Sequence, residues 1–455
     1  MVLRAHRHRR KLEYPPGELL GFAPSAFIGF GKGSHTAQTP RAPIPFRRAC
    51  RNEPVEAGRT LDYLWPGEAR ERTVVILPLE GVRVIEVGQA LAGPLAGVLM
   101  ADMGADVIKI EKPDGGDDAR IWGPPFGPDG KTSLYFYSQN RNKRSVVLDL
   151  KLAADIETLH KLCETADILI QNLRPGVVDE IGIGPEAMLK RHPRLIYCSI
   201  WAFGYEGPLK MKPGFDPLLQ AYGGMMSVTG RPEDPPTFCG ASINDKATGM
   251  FCTIGALAAL RRRDKTGKGC IVDTSLFDSA VHWVEGSVNG YLANGTVSKR
   301  HGTGSPVIVP YQTFDTADHP LCLAPGNDRL WARCAKVLGR DEWATDPKFA
   351  KSAQRVAHKD ELLPQIAAVL KSKPRAHWIH AMDKAGVPCA PVNDIGEVAT
   401  SEQMAASKLV QQLPNGDPKV VGLPIAFDRV RPVSLRSSPK LGEHTEEVLG
   451  EIRRR

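Results

Sequence analysis

The sequence lacks paired cysteines and long apolar runs, and both absences narrow the classes of protein that it can encode. Its nine cysteines are an odd number, and no two have the C-x-x-C spacing of a thiolate zinc site. This scatter argues against a disulfide framework and for a reducing, cytoplasmic location, and it predicts no metal site. No stretch of 18 or more apolar residues occurs, so we expect no membrane-spanning helix and no membrane partner.

Net positive charge is small outside the N-terminal part of the chain. The formal net charge is +8, but residues 1–75 alone hold 13 Lys and Arg against 7 Asp and Glu. A nearly neutral remainder has no polyanion-binding footprint, so we expect no nucleic-acid partner. Residues 1–75 also lack sustained hydrophobic periodicity, and we interpret them as a disordered or additional N-terminal extension.

Alternating strands and helices dominate the rest of the sequence. A β-branched run, "LEGVRVIEVG", is followed by the helical period of "LAGPLAGVLMADMG" and by a second strand, "ADVIKIE". Further strands are predicted at 144–150, 166–172 and 194–204, which indicates an α/β fold with a covered sheet. We predict a large α/β domain over 76–295, a smaller α+β domain over 296–400, and a C-terminal segment over 401–455.

The turn after the first strand has no dinucleotide fingerprint. In "GQALAGPLAG" the glycines Gly88, Gly93 and Gly97 are spaced more widely than G-x-G-x-x-G. The helix start could still offer N–H groups to an anion, or the glycines could only shape the turn. The residues alone leave these two interpretations equally open.

Asp245 is the most pointed candidate for a functional side chain. It lies in "GASINDKATGM", directly before an apolar helix, and Ser242-x-x-Asp245 fits the pattern of a helix cap. A carboxylate at a helix start can also act as a nucleophile toward a thioester. Position alone favours the cap and does not exclude the nucleophile.

Taken together, many segments resemble the class III CoA-transferase family, also called the carnitine dehydratase/bile-acid-inducible protein F family. The similar stretches include "LEGVRVIEVGQALAGPLAGVLMADMGADVIKIEKPDGGDDAR", "NRNKRSVVLDLK", "ADILIQNLRPGVVDEIGIG", "GFDPLLQAYGG" and "TGKGCIVDTSLFDSAV", and the resemblance spans about 78–448. It implies that the large domain over 76–295 is Rossmann-like and binds coenzyme A, that the segment over 401–455 returns to this domain, and that two chains form an interlocked homodimer. It also implies an acyl-CoA donor, a carboxylic acid acceptor, and Asp245 as the nucleophile that carries coenzyme A as a thioester.

The same resemblance implies a set of coenzyme A contacts and one substrate loop. The coenzyme contacts are Leu91, Ala92, Lys112, Leu148, Asp149, Leu150, Lys151, Asn172, Leu173, Arg174, Pro213, Gly214, Phe215 and Asp216, and the loop contains Gly302 and Gly304. One departure is Glu180, where many members have an arginine. An acid cannot pair with the coenzyme diphosphate, so Arg174, Lys151 or Lys112 is expected to substitute. Leu91 is another departure, because some members have a glutamine there.

Two alternatives share this fold. An α-methylacyl-CoA racemase needs an acid and a base, but Phe215 stands where the family's racemases have a histidine, and phenylalanine cannot transfer a proton. A non-catalytic acyl-CoA-binding protein would have no need of Asp245. For the donor and acceptor acids of the transfer, one expectation is succinyl-CoA with a dicarboxylate acceptor. Arg120 is a candidate for the distal carboxylate, or for a surface or dimer ion pair.

Overall fold

A computed structural model describes residues 77–454, and its main feature is a six-stranded parallel sheet. The strands are Arg83–Val87 (β1), Asp106–Glu111 (β2), Arg144–Val147 (β3), Ile168–Gln171 (β4), Ile196–Trp201 (β5) and Cys270–Ser275 (β6). They lie in the order β3-β2-β1-β4-β5-β6, and every neighbouring pair is parallel. The order reverses between β1 and β4, where doubly wound sheets open a crevice for ligands.

Helices cover both faces of this sheet, as buried parallel strands require. Among the described residues, the α-helices that lie between β1 and β6 or directly after β6 are Ala92–Asp102 (α1), Leu134–Asn140 (α2), Ala153–Cys163 (α3), Val177–Glu180 (α4), Pro185–Arg191 (α5), Asp216–Tyr222 (α6), Met225–Val228 (α7), Ile243–Thr266 (α8), Leu276–Trp283 (α9) and Glu285–Asn294 (α10). One core packs α1 and α8 on one face. A second core packs α3 and α5 on the other.

A separate hydrophobic core forms in the following part of the chain. Its antiparallel sheet joins Gln312–Phe314 (β7), Leu321–Leu323 (β8) and Cys389–Pro391 (β9). The helices Asp328–Val337 (α11), Ser352–Ala357 (α12), Lys359–Leu370 (α13) and Arg375–Ala385 (α14) accompany it. Trp331 is fully buried in this core and stacks on Trp343 at 6.0 Å.

The last segment returns to the parallel sheet. It contains Ile395–Thr400 (α15), Glu402–Ser407 (α16), the antiparallel pair Val410–Gln412 (β10) and Lys419–Val421 (β11), and Thr445–Arg453 (α17). Val448 of α17 is fully buried in the core beneath β1–β3. Glu451 completes the attachment by ion pairs with Arg83 at 2.9 Å and Arg144 at 2.5 Å.

The predicted α/β fold class is confirmed, and the strands predicted at 144–150, 166–172 and 194–204 extend beyond the observed ones by at most three residues at either end. The strand predicted at 144–150 ends early, at Val147, and a turn follows in which the Leu152 N–H donates to the Asp149 carbonyl. The proposed extension at 1–75 lies outside the described residues. The domain limits at 295 and 400 stay predictions, although the parallel and antiparallel sheets do have separate cores. Within 77–454, no helix is long and apolar enough to cross a bilayer.

Candidate active site

A cavity of about 440 Å³ opens at the carboxyl ends of β1, β4 and β5, at the point where the strand order reverses. This is where parallel sheets with crossover helices place their ligands, because several loops converge there. Its walls come from the loops after these strands and from the starts of α6 and α8. The lining residues are Gln89, Ala90, Leu91, Ala92, Asp118, Trp122, Tyr135, Asn172, Leu173, Arg174, Pro175, Ile200, Trp201, Ala202, Lys212, Pro213, Gly214, Phe215, Asp216, Pro217, Ser242, Asp245 and Leu276.

The turn between β1 and α1 presents main chain to this cavity. Ala90 has a left-handed backbone with φ of 65°, which alanine rarely adopts. Asn172 holds the turn with both ends of its side-chain amide: Oδ1 accepts the Gln89 N–H at 2.9 Å and Nδ2 donates to the Gln89 carbonyl at 2.8 Å. Leu91 and Ala92 are buried, so their main-chain atoms are the groups they can offer a ligand.

Asp245 lies in the first turn of α8, and the start of this helix is held by Asp216 rather than by its own N-cap residue. Ser242 makes no capping hydrogen bond, so the cap interpretation of Ser242-x-x-Asp245 is wrong. Instead, Asp216 Oδ2 accepts the N–H groups of Asn244 at 2.6 Å and Asp245 at 3.1 Å. Gly249, one turn on, packs so closely on α1 that an added Cβ would lie 2.7 Å from the Ala92 carbonyl oxygen.

The Asp245 carboxylate stays free within this arrangement. Among residues 77–454, none donates a hydrogen bond to it or forms an ion pair with it. Burial, together with the charge of Asp216, raises the pKa of the Asp245 carboxyl from 3.8 to about 7. A carboxylate with this pKa is ionised in an appreciable fraction at neutral pH and is a stronger nucleophile than an ordinary aspartate.

Tyr135 of α2 faces the same carboxylate across the cavity. Burial and the charge of Asp245 raise the pKa of its phenol, which therefore stays protonated and able to donate a hydrogen bond, and its side chain interacts with Ser242. Its ring lies 5.7 Å from that of Trp122. The two rings form an aromatic wall beside the nucleophile candidate.

The structure brings ten of the predicted site residues together around the cavity. They are Asp245 and the coenzyme candidates Leu91, Ala92, Asn172, Leu173, Arg174, Pro213, Gly214, Phe215 and Asp216. Two of them have a second duty, because the side chains of Asn172 and Asp216 are engaged with the turn and with α8. Arg174 is exposed at the cavity, whereas Glu180 at the end of α4 points to solvent outside it.

Seven predicted residues do not line this cavity. Lys112 forms an exposed ion pair of 2.7 Å with Asp118, which does line it. Leu148 is buried, and Asp149, Leu150 and Lys151 form a turn after β3. The N–H of Gly302 donates to Gly230 and that of Gly304 to His301, so the predicted loop packs beside residue 230. These residues stay predicted contacts.

Arg120 is not available for the distal carboxylate of a substrate. Its guanidinium is buried, lies 2.7 Å from Glu111, and sits over the Phe136 ring at 3.9 Å. The alternative, an ion pair, is the one observed, but it lies inside the subunit rather than on its surface.

Sequence reasoning missed both residues of the aromatic wall and the cavity-lining residues at the end of β5. Ile200, Trp201 and Ala202 could have been found, because β5 was predicted and parallel strands place ligands at their carboxyl ends. Tyr135 and Trp122 carry no comparable signal, because the loop and short helix that hold them show no spacing tied to the cavity.

The residues that line the cavity also bear on acid–base chemistry. No lining residue is a histidine, and Phe215, which stands at the racemase position, is 65% exposed. Within 77–454, no group of three or more His, Cys, Asp or Glu side chains is placed to hold a metal ion. The arrangement therefore offers a carboxylate nucleophile, a phenol donor and main-chain groups.

Known proteins similar to this chain point in the same direction. The family model described as CoA-transferase family III matches residues 79–445. Succinyl-CoA:glutarate CoA-transferase of Mus musculus is 34% identical over 90% of this chain and 93% of its own length. Acetyl-CoA:oxalate CoA-transferase of Acetobacter aceti is 37% identical over 80% and 93%, respectively.

A solved structure agrees with these relatives. The crystal structure of a CAIB/BAIF family protein from Brucella suis superimposes with a TM-score of 0.75 at 35% identity, covering 83% of this chain and 100% of that one. The cavity, the free carboxylate of Asp245 and the matches over most of the chain converge on one conclusion: the chain belongs to CoA-transferase family III.

Proposed function

We propose that this protein moves coenzyme A from an acyl-CoA donor to a free carboxylic acid, with Asp245 as the nucleophile that carries it. Family membership and the named relatives support CoA transfer as the reaction. The observation that carries the role of Asp245 is its position: its carboxylate faces the cavity without a cationic partner among the described residues. An aspartate used only to cap α8 would be bonded to that helix.

The chemistry needs no oxidant, metal or water. An oxygen of Asp245 attacks the donor thioester carbonyl, and coenzyme A leaves as a thiolate, which gives a mixed anhydride. The thiolate then attacks the aspartyl carbonyl, so the donor acid leaves as a carboxylate and an aspartyl-CoA thioester remains. The acceptor carboxylate attacks this thioester and releases the thiolate. Attack of the thiolate on the acceptor carbonyl finally forms the new acyl-CoA and restores Asp245.

Several groups of the cavity suit these steps. Each carbonyl attacked develops an oxyanion, which hydrogen-bond donors at fixed positions stabilise. The protonated phenol of Tyr135 is one such donor beside Asp245. The main chain of the β1–α1 turn, with Leu91 and Ala92, also lines the cavity. The loop of Gly302 and Gly304 is a predicted further donor, but both glycine N–H groups are engaged by Gly230 and His301, so this loop would have to rearrange to serve.

The binding groove for the coenzyme is proposed from the same loops. Arg174 and Lys212 line the cavity and can reach phosphate groups. Lys112 and Lys151, in the exposed turn after β3, are proposed as further phosphate contacts. Glu180 is acidic and cannot bind phosphate. For the acids we propose succinyl-CoA as donor and a dicarboxylate as acceptor, because the named relatives act on glutarate and oxalate.

We further propose that the enzyme works as an interlocked homodimer. Helix α10 has no buried residue, and Tyr291 and Leu292 on it are 56% and 75% exposed. Nearby, Trp283 and Ile254 are exposed as well, at 48% and 60%. A second copy covering this face would bury these side chains, and exposed apolar patches mark protein–protein interfaces in many soluble proteins. Light scattering of the purified protein should give twice the mass of the chain.

Trapping the aspartyl thioester tests the mechanism. The protein is incubated with succinyl-CoA, treated with hydroxylamine, and digested for mass spectrometry. We expect a hydroxamate on Asp245 alone. The Asp245→Asn variant should show neither modification nor CoA transfer.

Asp278→Asn serves as the matched control, because Asp278 also lies in the first turn of a helix, α9, but outside the cavity. The Asp278→Asn variant should form the hydroxamate on Asp245 and should transfer coenzyme A at the wild-type rate. An unmodified Asp245 in an active enzyme, or normal turnover by Asp245→Asn, would overturn the proposal.

A further inference from the structure

Four charged side chains are buried together beneath the turn that follows β1. They are Glu86 in β1, Lys109 in β2, Asp117 in the loop before the 3-10 helix Asp118–Ile121, and Lys143 directly before β3, and each is at most 1% exposed. Lys109 Nζ lies 2.9 Å from both Glu86 Oε1 and Asp117 Oδ2, and Lys143 Nζ lies 2.7 Å from Glu86 Oε2. Two acids and two bases make this charge cluster neutral. Burying so many charges is costly unless each one is paired.

The charge cluster also bonds to the main chain at both ends of the β1–α1 turn. Lys109 Nζ donates to the Gly88 carbonyl at 2.6 Å, and Lys143 Nζ donates to the Pro94 carbonyl at 2.9 Å. Between them, Asp117 Oδ1 accepts the N–H of Ala90 at 3.0 Å. Ala90 is the residue with the left-handed backbone, and residues 89–92 line the cavity. The buried carboxylate of Asp117 thus stabilises the unfavourable backbone conformation of Ala90.

Gly97 shows that the helix above the charge cluster is shaped to receive it. A Cβ added to Gly97 would lie 1.8 Å from Glu86 Oε2, so only glycine lets α1 pass over the glutamate. This accounts for the third glycine of "GQALAGPLAG", which has no role in a dinucleotide fingerprint. Although burial favours the neutral acid, Lys109 and the N–H groups of Ala90 and Ala119 lower the pKa of the Asp117 carboxyl, which therefore stays charged.

We propose that this charge cluster is a positioning device, which fixes the main chain of residues 89–92 against the cavity and the nucleophile Asp245. Its members touch neither substrate nor coenzyme, and they act through the turn. The inference rests on the proposed function for its effect on turnover, but the positioning itself can be measured without turnover. A displacement of about 1 Å in a group that positions substrate lowers a rate on the order of 100-fold.

The test compares two buried aspartates. Asp117 bonds to the turn before α1, and Asp102 is the last residue of α1. Asp117→Asn leaves the side-chain shape but removes the charge that faces Lys109. The control, Asp102→Asn, breaks a similar buried ion pair with Arg141, of 2.5 Å, at the end of α1 far from the turn. Both variants remove one buried charge, so both should lower the thermal unfolding midpoint. Two further measurements then distinguish the two variants: amide hydrogen exchange of the peptide that covers 84–92, and kcat/KM for acyl-CoA.

We expect faster exchange at 84–92 in Asp117→Asn alone, with a kcat/KM lower on the order of 100-fold. Asp102→Asn should stay within about twofold of the wild type in both measurements. Should Asp117→Asn not fold, Gly97→Ala tests the same cluster, because its methyl group displaces Glu86 from Lys143. Equal exchange and equal activity in the two aspartate variants would refute the positioning role. A wild-type protein without CoA transfer would instead remove the proposed function, and the exchange result would still decide the role of the charge cluster.

Discussion

The pH dependence of the first chemical step follows from the environment of Asp245. Its carboxyl has a pKa of about 7, raised by burial and by the charge of Asp216. About one tenth of the enzyme is then in the nucleophilic form at pH 6, and about nine tenths at pH 8. We therefore expect kcat/KM for acyl-CoA to rise about tenfold between these values and to level off above pH 8.

The variant Asp216→Asn tests the cause of this profile. It removes the neighbouring charge, so the acidic limb should move to lower pH, but not to that of an exposed aspartate, because burial remains. Acetyl-CoA is the suitable donor, because its acyl group does not titrate, and the titration of the coenzyme phosphate is common to all variants. Asp278→Asn, whose carboxylate lies outside the cavity, should leave the limb in place.

Stopped reactions from pH 5.5 to 8.5, with the product acyl-CoA measured by chromatography, give the profile. A flat kcat/KM over this range would show that Asp245 titrates as an ordinary aspartate. An acidic limb that stays unchanged in Asp216→Asn would show that its position does not depend on the charge pair. Either result would refute the electrostatic reasoning.

Three further predictions concern stability, measured by urea unfolding. The raised pKa of Asp245 means that its stability contribution is fully present below pH 3.8 and is lost as the pH rises to about 7, so Asp245→Asn should unfold with a higher free energy at pH 8, by about 4 kcal/mol at most. Arg120→Met leaves Glu111 buried without its ion pair and should cost about 3–5 kcal/mol, most of it recovered if Glu111 is replaced as well. Burial lowers the pKa of both His160 and His192, whose rings are in contact, so the folded state should lose stability as the pH falls below about 6.5, and less so in His160→Gln.

The sequence predicts the sheet well because local signals and tertiary structure agree there. β1, β2 and β4 are β-branched runs bounded by turns, and burial on both faces needs such residues. The position of the ligand crevice also follows from strand order. Local sequence patterns do not identify hydrogen-bond or ion-pair partners that are distant in the sequence.

The start of α8 shows why the rest could not be predicted. Ser242 has the residue type and spacing of a cap, but the N–H groups are taken by Asp216, 29 residues from Asp245 in the sequence. Arg120 likewise looks like a free cation near an acidic stretch, whereas it pairs with Glu111 at the end of β2. Whether a group bonds to a partner nearby in the sequence or to a distant one depends on the tertiary structure. The role proposed for Asp245 came from the resemblance to a known family.

The attachment of α17 to the parallel sheet has a consequence for how the protein folds. The hydrogen bond between Arg83 and Glu451 joins residues 368 positions apart in the chain. During synthesis, β1–β6 leave the ribosome long before α17, so the part of the sheet face that α17 covers stays open until that helix has emerged. Contacts of such separation form late and slow the reaction. We therefore expect a nascent chain that has emerged only as far as α14 to need a chaperone, and the docking of α17 to be the last step of folding.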